Sequence, residues 1–313
     1  MATKPTPLPC LLLACALPVA TCARAGERTL PAGATALRVD VVGAADPARD
    51  AMLLDWASEA ARALLQVDPA RFPLARAGVV VQETDSRDPS PVPWGQTLRR
   101  DGVSVLLYVR RDAGAAALRG DWTAVHEMSH LLHPWLGRDG RWMAEGLASY
   151  YQNVLRARAG MMPAAEAWRR LDAGFSRGRR ATVAGVPLSQ AGGRAATMRI
   201  YWAGAAYWLQ ADLALRARGA SLDAVLAAHA RCCLRPGSEV TPLGYAQALD
   251  RIDGHGLFER LYRQADAATA FPDLAPAYRA LGLSRDGRGT MRLTHGDAGA
   301  ALREAIARPR RQP

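Results

Sequence analysis

The sequence predicts an α+β protein: a small N-terminal β-sheet carrying one helix, then a mainly helical lobe, with a cleft where the two meet. Two observations carry this. Short alternating and β-branched runs are confined to the first third of the chain, and helical periodicity then takes over from Asp121 almost to the end. The 313 residues are 50% hydrophobic, enough for a packed core and too apolar for a disordered chain.

The first 25 residues read as a leader. Lys4 supplies a positive start, Leu8 to Val19 an apolar centre, and Ala23-Arg24-Ala25 a small-x-small cleavage signal. The run is short for a bilayer and is interrupted by Pro9 and Pro18, which argues against a transmembrane helix. Cys22 after Val19-Ala20-Thr21 resembles a lipobox, so two fates stay open: soluble export with a mature chain from Gly26, or a lipid anchor at Cys22. Either expectation places the protein in the periplasm or outside the cell.

Past the leader, alternation in Leu37-Arg38-Val39-Asp40-Val41 predicts a strand, and Pro47 to Gln66 repeats apolar residues at helical spacing. Val79-Val80-Val81 and Val103 to Val109 predict two more strands, the latter as a sheet edge able to receive an extended peptide. Between them Asp85 to Gly102 holds three prolines and two glycines and reads as a loop. A second, Gly/Arg-rich loop is expected around Ser176 to Gly193. These signals divide the chain into a leader (1–25), a sheet subdomain (26–118), a helical subdomain (119–283) and a C-terminal extension (284–313).

The formal charge is +11, yet Lys4 is the only lysine and the arginines are scattered among alanines with no interleaved aromatics. That pattern excludes a built nucleic-acid groove. Of five cysteines, Cys10, Cys15 and Cys22 lie in the leader. Cys232-Cys233 lacks metal or redox spacing; the pair can close a strained ring or stay as buried thiols, and its expected role is structural.

The chemistry is concentrated in His126-Glu127-Met128-Ser129-His130. Histidines four apart share one helix face about 6 Å along the axis, close enough to hold one metal ion, while Glu127 can reach a metal-bound water as general base. Val125, Met128, Leu132 and Trp135 repeat on the opposite side and are expected to bury. Trp142 to Tyr151 forms a second helix with Ala144, Leu147, Ala148, Tyr151 and Val154 as its packed side, and Glu145 can supply a third ligand. Two imidazoles, one carboxylate and water suit a single catalytic Zn2+. His133 lies about 10 Å along the axis from His126, too far to share the ion if the helix runs on to its expected stop at Pro134, and reads as a group supporting the ligands from behind, a cleft polar group or plain surface.

Read together, these segments resemble the gluzincin zinc metallopeptidases, and within them the glycyl aminopeptidase family. The likeness spans residues 103–283. It rests on the His-Glu-x-x-His pattern, on Trp142 to Tyr151, and on Ile200 to Ala206 with Leu209, Asp212, Leu213, Arg216 and Ser221-Leu222-Asp223. It implies a thermolysin-like catalytic domain, a peptide or protein substrate, and a phenol near the metal at Tyr201. The interval between His130 and Glu145 is shorter than gluzincins usually show. The stretch Trp94-Gly95-Gln96-Thr97 stands where relatives carry a carboxylate for a substrate's free amine, so exo- or endopeptidase action stays open. Two other readings remain: a non-catalytic gluzincin-like binding protein, and a basic protein adhering to envelope polymers.

Overall fold

The structure is a computed structural model that describes residues 26–100 and 102–310; the leader, Cys22 included, lies outside them. Five strands, β1 (Gly26–Ala32), β2 (Thr35–Val42), β3 (Arg76–Thr84), β4 (Trp94–Leu98) and β5 (Ser104–Arg110), form a sheet in the order β1-β2-β3-β5-β4. β2, β3 and β5 run parallel, and β1 and β4 close the two edges antiparallel. Helix α1 (Pro47–Arg62) makes the crossover between β2 and β3, capped by Asp46, whose side chain accepts from the Arg49 amide. Every second residue of β3 and β5 is buried, as a covered face requires.

Two expectations are corrected here. The Asp85–Gly102 stretch is not all loop, because Trp94–Leu98 pairs with β5 as the edge strand. Val103–Val109 is accordingly an inner strand. Prolines 89, 91 and 93 hid the strand: they end just before it, and its two-residue alternation is too short to register.

Helices then follow: α2 (Ala115–Gly120), α3 (Thr123–Ser129), α4 (Arg141–Arg158), α5 (Ala164–Arg180), α6 (Thr197–Arg216), α7 (Leu222–Cys232), α8 (Pro242–Asp253), α9 (Leu257–Asp266) and α10 (Ala275–Ala280). A small hairpin of β6 (Leu283–Arg285) and β7 (Met291–Leu293) and a last helix, α11 (Ala298–Ala307), complete the chain. The α+β class therefore holds, while the C-terminal part is less purely helical than its periodicity implied. The Gly/Arg-rich loop begins later than expected, since α5 continues through Arg180. Cys232 and Cys233 are joined in a vicinal disulfide, the ring form of the two states the sequence left open. No helix among the described residues is long and apolar enough to cross a membrane.

One contiguous core runs from the sheet through the helices, with α4 at its centre. Almost every side of α4 is buried, which a single apolar stripe does not convey. Its polar residues are answered individually. Arg158 makes a two-pronged ion pair with Asp223 at 2.9 and 3.0 Å, Tyr151 donates to Asp223 at 2.8 Å, and Tyr150 donates to Asp212 at 2.8 Å. Arg216 also bonds Asp212 at 3.0 Å. The downstream residues that carried the sequence resemblance thus form a buried polar frame behind α4.

α4 and α6 cross at a glycine pair. A Cβ on Gly204 would stand 1.9 Å from the Trp142 carbonyl oxygen, and one on Gly146 would stand 2.2 Å from the Gly204 carbonyl carbon. Neither position can take a side chain unless the helices separate. Gly204→Ala is therefore expected to destabilise the protein by about 3 kcal/mol, measurable as a lowered denaturant midpoint in chemical unfolding.

Candidate metal centre

His126 and His130 project from the last turn of α3 and the single 3₁₀ turn (His130–Leu132) that follows it. The helix is anchored by buried Val125, Met128 and Leu132, as its periodicity predicts. Trp135, expected on the same stripe, is instead 47% exposed. The reason is local: the α-helix ends at Ser129, earlier than expected, and His133 is already extended at φ −137°. The Asp121 side chain accepts from the Thr123 amide at the start of α3. Arg99 closes its end by donating to the carbonyls of His130 at 2.6 Å and His133 at 3.0 Å.

Glu145, one turn into α4, brings Oε2 to 3.2 Å from His126 Nε2 and 3.7 Å from His130 Nε2. One donor atom from each of the three residues lies within 4.8 Å of the other two. Ligands at about 2.1 Å from a tetrahedral ion stand roughly 3.4 Å apart, so this donor set fits zinc. Orientation supports the fit. His126 Nδ1 bonds Gln152 Oε1 at 2.8 Å, and His130 Nδ1 lies 2.9 Å from His133 Nε2. His133 in turn points Nδ1 at the Pro134 carbonyl, 2.6 Å away, which requires a proton on that nitrogen. Its Nε2 is therefore the acceptor, so His130 carries its proton on Nδ1 and offers Nε2 as a lone pair. Gln152 fixes the same tautomer on His126.

Burial works against ionisation of Glu145, but hydrogen bonds and charge from His126 and His130, when their Nε2 atoms carry protons, more than offset this and hold the carboxyl well below its usual range; a metal ion bound there would take the place of those protons. Burial, with the neighbouring His130 and Arg99, pushes His133 well below the usual histidine value, keeping it neutral as the tautomer chain demands. His133 thus orients His130 and is no part of the donor set.

Glu127 lies beside this group in a cleft of about 650 Å³ formed by β4, α3, the loop before α4, and α6. Thr97 Oγ1 on β4 stands 2.7 Å from the Glu127 carbonyl oxygen and 3.2 Å from its Oε2. This approach depends on Gly95, where a Cβ would come within 2.6 Å of Glu127 Cγ and 2.7 Å of Thr123 Cγ2. Tyr201 on α6 stacks its ring on His126, centroids 5.5 Å apart, and lines the same cleft. Burial, then the nearby Glu145 charge, keeps its phenol protonated well above the ordinary tyrosine value.

All five residues singled out in the sequence, His126, Glu127, His130, Glu145 and Tyr201, therefore converge. Missed were Gln152, Arg99 and the Gly95–Thr97 strand, while His133 takes up the first of the places the sequence left open to it, behind a ligand. Gln152 carried a signal, being a polar residue seven positions after Glu145 on the same face of an otherwise apolar helix. Ser149, one turn after Glu145 and open from its position alone to orienting a ligand or simply packing, lines a separate cavity of about 380 Å³.

No protein-family model and no curated protein matches the sequence. Among solved structures the chain is similar to an aminopeptidase N family protein from Idiomarina loihiensis, at 14% identity and a TM-score of 0.63 over 84% of this chain and 51% of that one. It is also similar to a two-domain M1 zinc metallopeptidase bound to L-tryptophan, at 16% identity and a TM-score of 0.50 over 80% and 53%. The chain shares the fold of these proteins and spans about half their length.

Removing the group that orients His126 is expected to weaken metal binding without unfolding the chain. Gln152→Leu should lower zinc affinity by about ten- to a hundredfold, read by competition with a chromophoric chelator. Unchanged affinity would show that Gln152 does not set the imidazole.

Proposed function

We propose that this chain is a zinc-dependent peptidase. The observation that carries the reading is the placement of the Glu127 carboxylate in the cleft that His130 and Glu145 of the donor group also line, with His126 buried behind them. The fold shared with the structural relatives supports it, and so does the zinc named in one of them.

His126, His130 and Glu145 would hold the ion. Zinc there supplies a Lewis acid that brings the pKa of water down toward about 7 and polarises a carbonyl. The chain's own groups do the rest. Glu127 takes a proton as water attacks the peptide carbon, held for this by Thr97 and by its position at the head of the metal-facing turn. As the C–N bond breaks, Glu127 returns that proton to the leaving nitrogen. Tyr201, protonated and fixed against His126, donates a hydrogen bond to the oxyanion. With the leader read as an export signal, the enzyme acts in the periplasm or outside the cell, soluble from Gly26 or anchored through Cys22.

Incubating the chain from Gly26 with a mixed peptide library and reading products by mass spectrometry is expected to show cleavage. Glu127→Gln and zinc chelation should each abolish it. The positions of the cuts separate trimming from chain ends from internal cleavage. Tyr201→Phe is expected to lower kcat by about a hundredfold with KM changed little. Zinc binding without cleavage of any peptide sinks the peptidase reading in favour of a binding role.

A further inference from the structure

The carboxylates lining the cleft are few and mostly committed. Glu145 belongs to the donor group, Glu127 is bound to Thr97, and only Asp139 remains. Its cations are more numerous: Arg99, Arg138 and Arg141 all line it. Arg99 is spent on the carbonyls that end the metal-binding turn. Among the described residues neither Arg138 nor Arg141 makes a side-chain hydrogen bond or an ion pair. Arg141 is the first residue of α4 and stands one turn before Glu145, so the two share a helix face. Its charge reaches the Tyr201 hydroxyl.

An exposed guanidinium lining a cleft, with no protein anion of its own, is free to take a ligand carboxylate, which it can bind through two parallel hydrogen bonds. We propose that Arg141, assisted by Arg138, recognises a carboxylate on the substrate and makes acidic peptides the preferred ligands of this cleft. The proposal rests on the peptidase reading for the word substrate, but the anion site stands on the arginines alone. One helical turn of about 5.4 Å separates Arg141 from the metal-facing Glu145, and an extended peptide advances about 3.3 Å per residue. The recognised group therefore belongs within two residues or so of the scissile bond. It is either a Glu or Asp side chain or the C-terminal carboxylate of a short peptide.

The test uses the zinc-loaded chain from Gly26 carrying Glu127→Gln, so that peptides are bound without turnover, with dissociation constants measured by calorimetry. Four hexapeptides are compared: Glu or Gln near the centre, each as the free C-terminal acid or the amide. At least one carboxylate form is expected to bind about tenfold more tightly than its amide counterpart. Whether the side-chain or the terminal substitution matters identifies the source. Adding Arg141→Gln should bring that ratio close to one while leaving the all-amide peptide unaffected, and Arg141→Lys should retain part of the preference. Equal binding of all four peptides overturns the proposal. So does an Arg141→Gln loss shared by acidic and neutral peptides, which would mark a structural role. If the unsubstituted enzyme cleaves nothing while the binding preference persists, the peptidase reading fails and the carboxylate site survives.

Discussion

The contact on which the site depends is the crossing of α4 and α6 at Gly146 and Gly204. Glu145 adjoins one of these glycines, and Tyr201 lies one turn before the other. With no side chain at either point the two backbones touch, so the spacing between a metal-facing carboxylate and the phenol opposite it is set by main-chain atoms. Such a spacing is stiffer than one set by interdigitating side chains, whose rotamers can adjust. Trp208 locks the crossing from outside by donating to the Met143 carbonyl at 2.8 Å. The ring of Tyr201 then meets His126 face on, which ties α6 to α3 as well.

Behind this crossing the helices are held by charge rather than by apolar area alone. Arg158 is 3% exposed and Asp223 is 3% exposed, a buried ion pair whose desolvation is offset only because Tyr151 and main-chain carbonyls satisfy its remaining groups. Asp212 accepts from Tyr150, Arg216 and the Leu222 amide, joining α4, α6 and the start of α7. A fully answered network of this kind fixes one helix arrangement, because any slip leaves a buried charge without its partner. That explains why residues distant from the cleft were part of the recognisable sequence pattern.

The donor group was legible because its geometry is local. Two histidines one turn apart need only a helix, and Glu145 needs only a second helix returning alongside. The parts that were not legible depend on non-local contacts. Sheet order is set by which strands pair, so a five-residue segment behind three prolines gave no sign of being the edge strand. Gly95 reads as a loop glycine until α3 is seen pressed against it. His133 was set apart from the donor group by its distance along the helix; the helix in fact tightens at His130, and the side chain turns back to support the His130 ring instead.

The choice of Gln152 as the partner of His126 bears on the charge of the whole site. A carboxylate there would add a third negative group beside Glu145 and Glu127. An amide fixes the imidazole tautomer equally well and stays neutral, so a divalent ion held there would meet two carboxylates and the charges would cancel. A neutral centre imposes no long-range repulsion on an anionic ligand, and the unpaired guanidinium of Arg141 then dominates the field at that end of the cleft. Three separate features, a neutral histidine partner, a scarcity of lining carboxylates and an arginine without a counterion, thus point in one direction. The cleft is arranged to accept negative charge close to the metal centre, which a site built around further carboxylates would resist.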